Sequence, residues 1–326
     1  SETAMSEKYE TIVPSEPDAG ERLQWVSWLR SAAPYVHLHH GRTFVISFAG
    51  EVVADRTLLN HLVMDVSLIA SMGMRVVIVH GSRPQIEELM SLRKLEGQFY
   101  KGVRITGPQE LECVKEACGE TRFDIEAAFS QGLPNTPMQH SRIKVVSGNF
   151  VTARPMGIID GVDYLHTGVV RKVDAESIQD LLSRGNIVLV SPTGFSPTGE
   201  AFNLTTEDVA TAIAVAIHAD KLILSVGVDG VRIQGEKQQD LTAQQAQALI
   251  QSKQVDDEDV YNLGYALRAI KGGVDRVHIV PYAMDGGILT ELFTHDGVGT
   301  MISTENMESL REATIDDVAA IVKLLE

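Results

Sequence analysis

The chain has 326 residues, 44% apolar and 22% charged, an ordinary globular composition with room for one large α/β domain or two smaller ones. Asp+Glu 44 against Lys+Arg 28 gives a net charge of −16, which argues against nucleic acid or an anionic membrane as a partner. No apolar run is long enough to span a bilayer, and Cys113 and Cys118 have the spacing of neither a zinc pair nor a redox pair.

In chain order, Ser1-Glu2-Thr3-Ala4 ahead of Met5 reads as a tag scar, and residues 1–20 as a mobile tail. No basic-then-apolar leader pattern follows, so a reducing cytoplasm is the expected compartment. Residues 23–29 predict a short helix with Trp25, Trp28 and Leu29 on one face, stopping near Pro34. Its tryptophans either pack on the chain's own core or anchor a second subunit. From residue 43 strand and helix alternate: strand 43–48, helix 58–72, strand 75–80, then Pro84 in the first turn of another helix. This alternation predicts a mostly parallel sheet with helices on both faces. Segments 143–153 and 163–173 predict a hairpin insert.

Helix 174–183 closes on Gly185, strand 187–191 follows, and the Pro- and Gly-rich stretch 192–203 predicts a loop. Thr205 or Thr206 caps a helix running through 219. Strand 221–226, a turn over 227–230, helices 244–251 and 260–270, strand 276–280, helix 287–293 and strand 298–302 complete a second half. Residues 303–309 read as a linker. Residues 310–326 read as a strand and an amphipathic helix opening a further domain that is cut short.

Chemistry concentrates in a few segments. Val45 to Gly50 and Val76 to Gly81 are apolar strands ending on glycine, the layout in which ligands sit beyond the carboxyl ends of a parallel sheet. Neither is followed by the lysine or the run of glycines that would cradle phosphate. Arg104, beside the Lys101-Gly102 turn, suits the grip of a carboxylate. Asn203 and Glu207 stand at a helix N-terminus; capping explains the acid more readily than the amide. Glu291, with Gly297 and Gly299 behind it, can hold a cationic ligand where backbone approaches closely. His37, His39 and His40 have no carboxylate or cysteine nearby in sequence, so no metal is expected. There is no nucleophile elbow, dinucleotide fingerprint or P-loop.

These segments resemble the amino-acid kinase fold, most nearly the N-acetylglutamate kinases and, within that group, the bacterial N-acetylglutamate synthases. Where the kinases carry Lys-x-Gly-Gly, this chain has Ser47-Phe48-Ala49-Gly50; where they carry His-Gly-Gly-Gly, it has His80-Gly81-Ser82-Arg83. Lys101-Gly102-Val103-Arg104-Ile105-Thr106 corresponds to Asn-Gly-x-Arg-x-Thr, and Asn203-Leu204-Thr205-Thr206-Glu207 to Asn-x-Asn-x-Asp. Asn262 falls near a second lysine, so both kinase lysines are absent. Arg83-Pro84-Gln85-Ile86, Val146 to Phe150, Phe202-Asn203-Leu204-Thr205 and Arg311 to Asp317 look like that subfamily.

The resemblance implies a three-layer α/β sandwich over 21–302 that serves as a regulatory, catalytically dead kinase-like domain, followed by the first β-α of an acetyltransferase domain. It implies acetyl-CoA as co-substrate of that missing domain, with L-glutamate as acceptor and N-acetyl-L-glutamate, the first intermediate toward arginine, as product; no cofactor is expected in this chain. It implies a relic kinase substrate pocket at Gly50, Gly81, Arg104, Asn203 and Glu207. It implies an allosteric L-arginine site at Tyr35, Lys221, Glu291, Gly297 and Gly299, with Asp285-Gly286-Gly287 where arginine-sensitive relatives carry a histidine. The N-terminal helix is expected to join subunits, as a hexamer. Competing expectations are an active kinase using Arg83 as a relocated cation, and an assembly scaffold without a ligand.

Overall fold

The computed structural model describes residues 18–131 and 143–304. The first stretch holds α1 (Ala19–His39), β1 (Thr43–Phe48), α2 (Gly50–Ala54), α3 (Arg56–Ser71), β2 (Arg75–His80), α4 (Arg83–Leu92), the hairpin of β3 (Gln98–Tyr100) and β4 (Val103–Ile105), and α5 (Pro108–Ser130). The second begins with β5 (Val145–Val146), β6 (Val151–Pro155), the small pair β7 (Ile158–Ile159) and β8 (Val162–Asp163), β9 (Gly168–Val173), α6 (Ala175–Ser183) and β10 (Ile187–Val190). Then come β11 (Thr193–Phe195), β12 (Ala201–Asn203), α7 (Thr206–Ala216), β13 (Lys221–Val226), β14 (Arg232–Ile233), β15 (Glu236–Lys237) and β16 (Asp240–Thr242). The series ends with α8 (Ala243–Ser252), α9 (Asp257–Lys271), β17 (Arg276–Pro281), α10 (Gly287–Phe293) and β18 (Thr300–Ser303).

Eight strands form the central sheet in the order β16-β18-β17-β13-β1-β2-β10-β5. Every pairing in it is parallel except β17 with β18. Both faces are dry, because each strand alternates two sets of apolar side chains. Val45, Val77, Val188, Leu222 and Val277 face a layer built from α6, α7, α8 and α9. Phe44, Ile46, Ile78, Leu189 and Ile223 face α1, α3, α5 and α10. This is the expected three-layer sandwich.

Four expectations need correction. The first helix does not stop near Pro34 but runs through it to His39. Asp18 and Glu21 form a capping box at its start, and Ala32 and His39 bury its far end, so packing outweighs the one backbone bond the proline removes. Trp25 and Trp28 do not pack on the chain's own core: they are 61% and 51% exposed. The stretch 192–203 is not a loop but the antiparallel pair β11–β12, with Pro192 just ahead of β11 and Pro197 and left-handed Gly199 in the bend. That pair joins β6 and β9 in a separate four-stranded sheet, β12-β11-β6-β9, so the expected hairpin exists, while β5 leaves it for the central sheet. Finally, Thr205 stands at the N-cap of α7 without a side-chain cap bond, and the helix ends at Ala216, where His218 turns left-handed. Residues 1–17 and 305–326, with the expected tail and the expected opening of a second domain, lie outside the described residues.

Candidate functional site: a sheet-edge cleft and a buried Lys-His-Glu chain

β1 and β2 end side by side, Phe48 level with His80. Gly81 N–H donates to the Phe48 carbonyl at 2.7 Å, and a Cβ on Gly81 would stand 2.7 Å from the Gly50 nitrogen. The two strand-end glycines are therefore required for loop against loop, whatever ligand is present. Beyond them opens a cleft of about 700 Å³, bounded by the β3–β4 hairpin, the start of α7 and one face of α9. Gly50, Gly81, Arg104, Asn203 and Glu207 all line it, as does Asn262.

Arg104 is 8% exposed, with its guanidinium stacked 4.6 Å from the Phe99 ring centroid. One nitrogen donates to Met90 Sδ at 3.2 Å and another lies 3.5 Å from Glu87. Burial lowers the Arg104 pKa against the pull of Glu87. Asn203 Nδ2 donates to Thr106 Oγ1 at 3.1 Å, fixing the amide beside β4. Glu207 is pushed up by burial, and Tyr261 donates to it at 3.0 Å. The lining lysine, Lys101, sits at the hairpin tip and pairs with Asp160 at 2.6 Å. Arg83 is two-thirds exposed and pairs with Glu87 at 3.2 Å. Where the kinase lysines would be, Ser47 and Asn262 are neutral.

A second polar cluster lies inside the layer between the sheet and α1, α3 and α10. Lys221 opens β13, His278 lies in β17 and Glu291 in α10, and they are 7%, 3% and 9% exposed. Lys221 Nζ lies 2.8 Å from His278 Nε2, and His278 Nδ1 lies 2.8 Å from Glu291 Oε1. Burial, then the charge of Lys221, holds the histidine well below its usual range, so the ring is neutral near pH 7. Lys221 thus donates to Nε2, and Nδ1–H donates to the carboxylate. Burial raises Glu291, but the His278 hydrogen bond and the N–H groups of Val298 and Gly299 outweigh it and keep the acid ionised. Those two N–H groups donate to Oε2 at 2.7 and 2.9 Å. Burial and Arg276 bring Lys221 down to about 7.

Gly299 allows this packing, since a Cβ there would collide with the Ile279 carbonyl; one on Gly297 would stand 2.5 Å from Glu291. Tyr35 packs half-buried into the same layer from α1, without a hydrogen bond to the trio among the described residues. The histidine near Glu291 thus comes from β17 and not from residues 285–287, which form the turn before α10. Its signal was legible: the inward position of an otherwise apolar strand, like Lys221 at the mouth of another. The N-terminal histidines do separate work. His39 Nε2 meets the Leu292 carbonyl at 2.8 Å between the rings of Phe44 and Phe293, whereas His40 meets the Met72 carbonyl at 3.1 Å.

Residues 42–281 match the amino acid kinase family. The chain is 54% identical over 311 residues to the amino-acid acetyltransferase of Ralstonia nicotianae, covering 95% of itself and 69% of that protein. It superimposes on N-acetylglutamate synthase from Neisseria gonorrhoeae, solved with coenzyme A and L-arginine, at a TM-score of 0.81 and 35% identity, over 92% of this chain and 70% of that one. Carbamate kinase from Giardia lamblia bound to AMP-PNP, at 14% identity, TM-score 0.62, and coverage of 81% of this chain and 99% of that one, shares the fold alone. The chain belongs to the amino-acid acetyltransferase family, the N-acetylglutamate synthases, and carries its amino-acid-kinase-like domain.

Proposed function

We propose that this chain is the regulatory part of a cytoplasmic enzyme that transfers the acetyl group of acetyl-CoA to the α-amine of L-glutamate, yielding N-acetyl-L-glutamate on the way to arginine. Its kinase-type cleft is silent in phosphoryl transfer, and L-arginine acts as feedback inhibitor at Tyr35, Lys221, Glu291, Gly297 and Gly299, with His278 added. Self-association runs through α1, as a hexamer.

The observation that carries this reading is the buried Lys221–His278–Glu291 chain. An ionised carboxylate fixed by two backbone N–H groups suits a planar guanidinium, and an ammonium at the other end suits an α-carboxylate. The arginine complex of the gonococcal enzyme supports the choice of ligand. Because α1 and α10 roof this layer, a ligand entering it changes how α1 sits. That becomes regulation if the two positions of α1 bind the ligand unequally.

Calorimetry tests the reading. L-Arginine should give a saturable heat with this chain, and Glu291→Gln should weaken binding by about 100-fold, the scale of about 3 kcal/mol for a lost charge-assisted pair. No heat with the unmodified chain at concentrations that inhibit the full enzyme would sink it.

A further inference from the structure

We propose that the cavity between α5 and the β11–β12 pair binds a small aromatic monocarboxylate with a hydroxyl group at its far end, held by Arg122 at the mouth and Ser191 at the base. The cavity measures about 160 Å³ and shares no lining residue with the strand-end cleft or the Lys221–His278–Glu291 chain. A space of about 150 Å³ holds one benzene ring. Its inner wall is apolar, formed by buried Leu111, Val114, Cys118 and Phe202. Lys115 and Arg122 stand exposed on its rim. The chain carries 44 acids against 28 bases, yet no acid lines the cavity. An ammonium group therefore finds no partner there, and an anion is favoured. Lys115 is already paired with Glu112 at 2.8 Å. Arg122 makes neither a hydrogen bond nor an ion pair among the described residues, which leaves its planar fork open for a carboxylate.

Two independent observations mark the cavity as a ligand site. The first is the hydroxyl of Ser191. His80 is fully buried, and its Nδ1 lies 3.0 Å from the Gly81 carbonyl, which only accepts. Ser82 Oγ, 3.1 Å from the same nitrogen, receives the Cys118 thiol at 3.6 Å. Nδ1 therefore carries the ring proton, burial keeps the ring neutral, and Nε2 accepts from the Ser191 hydroxyl at 2.7 Å. The serine's one proton is committed inward, so its oxygen is left as an acceptor for a ligand hydroxyl. The second is Gly119, which lines the cavity from the middle of α5. Its backbone is not left-handed, and a Cβ there would meet nothing within 4 Å. Glycine is the costliest residue in a helix interior after proline, and no contact within this chain calls for it here. What it does is keep the cavity open. A ring-sized apolar body, one carboxylate and one distal hydroxyl match the walls, the rim and the base in turn.

Calorimetry with the folded chain compares 4-hydroxybenzoate with benzoate and with 4-hydroxybenzyl alcohol, which lack the hydroxyl and the charge respectively. 4-Hydroxybenzoate should bind with a dissociation constant below about 1 mM, and about tenfold tighter than either control. Arg122→Gln should weaken it by about tenfold or more, toward the alcohol. Ser191→Ala should bring it level with benzoate. That variant also strips His80 of a donor and can cost stability, so Gly119→Leu serves as a second arm. It fills the cavity from an exposed helix position, should abolish binding and should not lower the melting temperature. The proposal is overturned by no binding of 4-hydroxybenzoate at about 10 mM, or by equal binding of all three probes. Unchanged binding in Gly119→Leu overturns it too, and a smaller assembly mass in that variant would then assign the glycine to contact with a second copy.

Discussion

Lys221 is the residue on which the proposed arginine site turns. In the ligand-free chain it titrates at about 7, lowered by burial and by Arg276, with neutral His278 as its hydrogen-bond partner. A ligand carboxylate against the ammonium raises that value, so binding takes up a proton above neutrality. The sign follows: affinity is level below about pH 7 and falls as pH rises through the pKa of the free site. L-Arginine should bind about tenfold more weakly at pH 8 than at pH 6, with close to one proton absorbed at pH 8. Calorimetry in two buffers of different ionisation enthalpy reads both quantities, and an affinity indifferent to pH over that range removes Lys221 from the site. Lys221→Met should abolish the pH dependence and weaken binding throughout.

At the scale of elements, α1 shows one face put to two uses. Trp25, Trp28, Ala32, Val36 and His39 succeed one another at helical spacing. The later part of that stripe is buried against α10 and β1, whereas the tryptophans and Leu29 continue it into solvent. The capping box keeps the overhanging turns helical without tertiary support. A tryptophan buries about 200 Å² at an interface, and a second copy is the partner proposed for this stripe. Trp25→Ser with Trp28→Ser should lower the mass seen by sedimentation equilibrium to a smaller assembly while leaving the melting temperature of the body within a few degrees. An unchanged assembly would move the interface elsewhere.

For the molecule as a whole, the kinase-type fold is kept while the charges around its cleft differ from the kinase pattern. The sheet positions the strand-end loops of a phosphotransferase, but the buried cation in the cleft is Arg104 on the hairpin, while Ser47 near the end of β1 and Asn262 on α9 are neutral. Phosphoryl transfer rests on positive charge around the transferred group, so ATP, magnesium and N-acetylglutamate should yield no ADP above a no-enzyme control. Turnover carried by Arg83 would restore the kinase reading. The layers were legible in the sequence because burial on both faces of a sheet imposes a local period: β1, β2, β13 and α10 stand at the residues expected. Hidden from it were contacts between distant residues. The Pro34 helix continues because its far end is packed, β11 and β12 pair because β6 lies beside them, and His278 matters because Lys221 and Glu291 reach it from two other elements. Periodicity and missing cations are local properties, so the sequence by itself determined the sheet and the neutral residues at the positions of the kinase lysines. The meeting of Lys221, His278 and Glu291, and of Arg104 with Glu207 across one cleft, depends on how strands and helices stack in space, and only the tertiary structure decided it.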